Sequence, residues 1–139
     1  MYKKTIKYTD YNGNEREEDF YFNISNAELV EMEVSEAEGL AEKLRKIIAS
    51  NNGALIMKTF KDFILKSYGI KSPDGRNFDK SDEIARSFEH TEAYNVFFYE
   101  ICTNAGEAAK FVNAVLPLTD EQRKELSEKM PVTTLPTNT

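Results

Sequence analysis

Histidine and cysteine are almost missing from this 139-residue chain, which has one of each, His90 and Cys102. A single cysteine cannot close an internal disulfide, so a disulfide-stapled scaffold is excluded and a reducing, cytosolic setting fits. A single histidine rules out a histidine-rich metal site and leaves one imidazole for general-base chemistry. Long hydrophobic runs are absent too. The apolar stretches last only a few residues, against roughly 20 needed to cross a bilayer, so no membrane span is expected. The lysines of the opening MYKKTIKYTDY lead into no apolar segment, and no secretory signal is visible. Basic residues are in deficit, 18 against 24 acidic, which gives a net charge of -6 and a pI near 4.9. The mean field of such a molecule repels nucleic acid.

Apolar residues are plentiful. They make up 40% of the chain and aromatics 12%, enough surface for a folded core. The length suits one domain, expected over residues 1–130, with a tail at 131–139 whose threonines and prolines predict disorder.

Residues 3–9 alternate, with Ile6 and Tyr8 on one face and Lys3, Thr5 and Lys7 on the other. The turn dipeptide Asn12-Gly13 follows, and a second alternation places Phe20, Phe22 and Ile24 together. This predicts a β-hairpin over residues 2–24, with lysines of one strand facing Glu15, Glu17, Glu18 and Asp19 of the other. A two-stranded ribbon is marginal alone and must pack on helices or on another subunit.

Residues 25–130 read as helices. Ser25 or Asn26 caps a short one ending near residue 33. Ser35 and Glu38 have capping-box spacing, and Ala37, Leu40, Ala41, Leu44, Ile47 and Ile48 form the stripe of the next, stopped by Asn52-Gly53. Residues 54–68 carry Leu55, Ile56, Thr59, Phe60, Phe63 and Ile64 at helical spacing, with Gly69 at the expected left-handed cap. Ser72-Pro73-Asp74-Gly75-Arg76 is a turn. Ser81 and Thr91 start two further helices, Asn104 to Gly106 breaks the second of them, a run from Glu107 to Leu116 is ended by Pro117, and a charged helix covers residues 119–130. The fold class is therefore α+β: an N-terminal hairpin followed by a cluster of about five or six helices.

Chemistry has few footholds. A Cys102–His90 pair would need tertiary closeness and an orienting third group. The plainer reading makes Cys102 a small core residue and His90 a helix-end residue. Glu28, Glu31, Glu33, Glu36, Glu38 and Glu42 form an acidic run without a metal-loop pattern, and it reads as a solvated or docking face. Gly75 and Arg76 lack the glycine spacing and the Lys-Ser or Lys-Thr pair of a phosphate loop. No catalytic, cofactor-binding or metal-binding residue is assigned. The aromatic excess is more informative. Tyr94, Phe97, Phe98 and Ile101 share one helical face, yet Val96 and Tyr99 leave apolar area on others. Part of this run, Tyr94, Val96, Phe97 and Tyr99, is the expected partner surface.

Three stretches carry a family resemblance: KKTIKYTDYNGNEREEDFYFNIS with AELVEME after it, KTFKDFILKSYGIKSPDGRNF, and SDEIARSFEHTEAYNVFFYEICTNAGEAAKFVNAVLP. In these the chain resembles the tail assembly chaperones of long-tailed bacteriophages and prophages. The resemblance implies a non-enzymatic protein that binds the tape measure protein, keeps it soluble and gives way to tail tube subunits. It implies action in the host bacterial cytoplasm, absence from the mature virion, and self-association into a homo-oligomer. The hairpin, with Ile6, Tyr8, Phe20 and Phe22, is the expected self-association element because open strand edges extend sheets. A phage-encoded regulatory adaptor or inhibitor of a host protein is the alternative that the same composition permits.

Overall fold

The two alternating segments form the expected hairpin, β1 (Tyr2–Thr9) and β2 (Glu15–Phe22), antiparallel from Tyr2 opposite Phe22 to Thr9 opposite Glu15. It opens a computed structural model that describes residues 1–128; the tail expected at 131–139 and the domain end at 130 lie outside the described residues. Gly13 takes a φ of +84° in the turn, a value costly to any residue with a Cβ. Asp10 accepts there from the Asn12 and Asn14 backbone N–H groups, each at 2.9 Å. On the outer face Lys7 pairs with Glu17 at 3.5 Å and Lys3 with Asp19 at 3.6 Å, as the charge pattern predicted. Exposed pairs of this kind contribute little. Lys4 departs from that pattern. It points inward and meets Glu100 at 2.9 Å and Glu107 at 3.9 Å.

The sheet is larger than the hairpin. Its order is β1-β2-β3-β4, with β3 (Tyr68–Lys71) against β2 and β4 (Phe78–Asp79) against β3. Between β3 and β4 the chain makes the expected turn, with Gly75 at φ +78°. Gly69 is no left-handed helix cap; it pairs with Tyr21 in the sheet. A Cβ on it would fall 2.8 Å from the Phe78 ring and from the Asp79 carbonyl oxygen, so close approach rather than a turn requires glycine.

Seven helices are present among the described residues: α1 (Asn26–Glu31), α2 (Ala37–Ala49), α3 (Gly53–Ser67), α4 (Asp82–Glu89), α5 (Glu92–Thr103), α6 (Ala105–Val115) and α7 (Asp120–Glu128). Side-chain oxygens of Ser25, Asn52, Ser81, Thr91 and Asn104 each accept from the backbone N–H three residues on, so five helix starts are capped. The capping box is Ser25–Glu28, not Ser35–Glu38. α2 begins at an N-cap, Glu36, that makes no side-chain bond.

The displacement follows from how α1 ends. The Glu33 N–H bonds the Val30 carbonyl at 3.0 Å and the Val34 N–H the Leu29 carbonyl at 2.8 Å, a Schellman closure with Glu33 at φ +58°. That closure uses Val34, and Ser35 is left one residue short of the N-cap position, which Glu36 takes. α2 likewise exits through Asn51 at φ +59°, while Asn52-Gly53, expected to stop it, starts α3.

The core lies between the sheet and α2, α3, α5 and α6. Phe22 is fully buried, with ring centroids of Phe97, Phe111, Tyr68 and Phe88 at 5.0, 5.4, 5.6 and 5.8 Å. Tyr2 of β1 and Phe63 of α3 both meet Phe111 edge-on, at 5.3 and 5.5 Å. Such tilted and edge-on pairs add to the gain from area buried.

Lys80, just after β4, ties the pieces that the hairpin alone leaves open. Its ammonium donates to the Asn23 carbonyl at 2.5 Å, to the Glu28 carboxylate at 2.6 Å and to the Lys66 carbonyl at 3.0 Å. Burial works against ionisation of Glu28. The hydrogen bond and charge of Lys80, with bonds from the Ser25 N–H and hydroxyl, outweigh it and hold the carboxyl below its ordinary value. Burial is also the main influence on Lys80 and lowers its proton affinity, against the Glu28 bond and charge. The three acceptors within 3.0 Å mark the ammonium as the resident form at neutral pH.

Two outcomes follow for stability. A Glu28 pKa lowered on folding contributes stability that is present above the unfolded value of 4.5 and is lost as pH falls below it. Glu28→Gln is therefore expected to cost about 1 kcal/mol at pH 7, a value discounted for partial exposure, and to cost less by pH 3. Urea midpoints at both pH values check this, and an equal loss at both would contradict it. Glu33→Gly removes the left-handed penalty on a residue with a Cβ and is expected to stabilise by about 1 kcal/mol, read as a raised Tm.

Candidate functional site

α5 is apolar on more sides than one buried stripe requires. Ala93, Tyr94, Phe97 and Ile101 face the core, while Val96 is 45% and Tyr99 71% exposed. Tyr11, 72% exposed at the hairpin turn, lies beside this surface, since the charge of Glu92 at the start of α5 acts on its hydroxyl. Some desolvation, then the Glu92 hydrogen bond and charge, raise the Tyr11 pKa. The Asn95 side-chain amide also donates to Glu92, at 2.5 Å. The arrangement offers two tyrosines and a valine in a polar frame, suited to contacts with a partner side chain.

The four residues nominated for partner binding therefore divide. Val96 and Tyr99 are on the surface, whereas Tyr94, 6% exposed, and Phe97, 0%, are core residues of the free chain. Their spacing is that of the inward stripe, and Phe97 is held at 5.0 Å from Phe22. Burial, followed by the charge of Glu89, pushes the Tyr94 hydroxyl up to about 12. Tyr11 was missed. Its only signal in the sequence is a large aromatic placed beside a turn with no alternating partner.

The hairpin residues nominated for self-association also face inward. Ile6 and Phe22 are buried, and Tyr8 and Phe20 are half-buried with rings 6.4 Å apart. The Tyr8 hydroxyl bonds the Glu18 carboxylate, and burial together with that bond pushes it up to about 12. Association through these side chains would cost the core. β1 itself is an edge strand of the sheet, with α5 packed beside it.

A second surface lies between α2 and α3. Met32, Leu40, Leu44, Ile47, Leu55 and Phe63 line a mostly apolar groove of about 330 Å³, with Lys43, Lys66 and Asp62 among its polar residues. Neither α2 nor α3 was expected to offer such a surface. Leu55 shares the helical stripe of α3 but stays 41% exposed, a difference that spacing in the sequence does not carry.

The chemical candidates disperse. His90 closes α4 at the surface, and Cys102 sits near the far end of α5. Some ten residues of helix between them amount to about 15 Å, too far for a nucleophile and its base. Burial raises the Cys102 thiol pKa, which disfavours the reactive thiolate. In the acidic run Glu28 is committed to Ser25 and Lys80, and Glu42 pairs with Arg45 at 3.0 Å. Asp74 accepts from the Ser72 hydroxyl and the Arg76 N–H, so the expected turn is internally bonded. Among the described residues no three His, Cys, Asp or Glu side chains gather as metal ligands, and no helix is long and apolar enough to cross a membrane.

The sequence profile of the phage tail assembly chaperones matches residues 1–138. The chain belongs to that family. No curated protein and no solved structure matches it. Family membership agrees with a site made of surfaces rather than of reacting groups, and it suggests a non-enzymatic role.

The division of α5 is testable by mutation. Val96→Ser with Tyr99→Ser is expected to leave unfolding free energy within about 0.5 kcal/mol of the parent. Phe97→Ala is expected to cost about 3 to 5 kcal/mol. Denaturant titration reads both, and comparable losses would remove the distinction between surface and core.

Proposed function

We propose that the chain binds the tape measure protein during phage tail morphogenesis, keeps this client soluble and helps to recruit tail tube subunits. It acts in the host bacterial cytoplasm, without covalent chemistry, and is absent from the mature virion. The observation that carries this reading is the match of a tail assembly chaperone family to residues 1–138. The surfaces support it. A chaperone that later releases its client needs many modest contacts, and Val96, Tyr99 and Tyr11 are exposed aromatic and apolar groups on a rigid helix and turn. The net charge of -6 helps to keep a complex with an aggregation-prone client in solution. Self-association into a homo-oligomer is assigned to the β1 edge, where main-chain groups rather than Ile6 or Phe22 would join subunits.

Co-expression with the tape measure protein of the same genome tests the function. The client is expected to become soluble and to co-purify with this chain, and to do neither beside an unrelated acidic protein. Replacing Val96 and Tyr99 by serine is expected to reduce the recovered client several-fold without unfolding the chain. A client that is soluble alone, or insoluble at matched expression, would overturn the reading.

A further inference from the structure

The segment of α2 and α3 that forms the groove differs from the rest of the chain in charge. From Ala37 to Ser67 there are six basic and three acidic residues, a net +3 in a chain whose total is -6. Some of these charges are satisfied internally, since Arg45 pairs with Glu42 and Lys61 with Glu89. Lys43 and Lys66, which line the groove, are both exposed and have no ion-pair partner among the described residues. Below them Leu40, Ile47, Leu55 and Phe63 supply an apolar lining. We infer that this groove takes an acidic amphipathic helix from a partner protein. The inference rests on the chaperone reading and specifies what the chain would recognise in its client.

Each property of the occupant follows from a property of the groove. Two packed helices leave a furrow along their length, and α2, with 13 residues, is about 20 Å long. A helix of three or four turns matches that length, and apolar residues at i, i+3, i+4 and i+7 would lay one stripe along the lining. The lysines then select its flanks. Glutamates beside the stripe meet opposite charge, whereas lysines there are repelled by Lys43 and Lys66. Asp62 lies in the same groove and moderates this preference without reversing it. Because the selecting charges are exposed, the interaction weakens with salt. An acidic partner helix would have little to gain elsewhere, since the chain outside α2 and α3 has an acidic excess.

The probes are two labelled helical peptides of about 14 residues with the same leucine stripe, one flanked by glutamates and the other by lysines, titrated against the full chain by fluorescence anisotropy. The glutamate peptide is expected to bind about tenfold more tightly than the lysine peptide, and added salt should erase the difference. Lys43→Glu with Lys66→Glu, both surface changes checked by thermal melting, should reverse the preference. Equal binding of both peptides, no binding of either, or an unchanged preference in the double variant would overturn the inference. So would a double variant whose change is a loss of oligomer mass in ultracentrifugation, with no peptide displaced, because a second copy would then occupy the groove. Co-expression separates this inference from the reading it rests on. If the double variant still solubilises the tape measure protein and the peptide preference is absent, the groove fails and the chaperone reading stands. If the preference holds but the parent chain does not solubilise the client, the chaperone reading fails and an acidic-helix site stands.

Discussion

One ring holds the two halves of this fold together. Phe22, the last residue of the hairpin, is fully buried against aromatic rings from β1, β3, α4, α5 and α6. A lone hairpin has too little buried surface to persist in water. Phe22 makes it part of a larger core by joining the end of β2 to helices up to ninety residues away in sequence. The backbone reinforces this point of attachment, since the Asn23 N–H reaches the Ser67 carbonyl at 2.8 Å and the Ile24 N–H the Val115 carbonyl at 3.0 Å. Lys80 closes the same region from the other side by binding Asn23, Glu28 and Lys66.

What was legible in the sequence was periodicity and local chemistry. The hairpin, its Asn12-Gly13 turn, the stripe of α2 and the caps Ser25, Ser81 and Thr91 all depend on residues close in sequence, and all are found. What was not legible depends on distant neighbours. β3 is four residues long and β4 two, too short to show alternation, and Gly69 is needed because Phe78 covers it. The inward turn of Glu28 likewise depends on Lys80, fifty-two positions on. On α5 the spacing set Tyr94, Phe97, Phe98 and Ile101 on one face and Val96 and Tyr99 on others, but could not say how completely the first face would be covered. Tyr94 and Phe97 went to the core, and Val96 and Tyr99 remained outside. The groove between α2 and α3 was invisible, because a stripe that is incompletely covered reads the same as one that is buried.

The same rigidity bears on function. The core rings fix the orientation of α5, so under the proposed function Val96 and Tyr99 would meet a client without ordering a loop first and with little loss of conformational entropy. Binding in this account uses the apolar area left after the core is filled. It does not require the core to open, which distinguishes it from a client grip made by partial unfolding.

Hydrogen exchange with and without the tape measure protein tests that central claim most directly, because it reports surface protection and core opening together. The account predicts slower exchange in α5 and around the Tyr11 turn on binding, with the slow amides of β2 and α6 unchanged. Faster exchange in β2 or α6 would mean that the core opens to hold the client. Unaltered exchange throughout α5 in a complex that demonstrably forms would place the binding surface elsewhere. Either result would contradict the account.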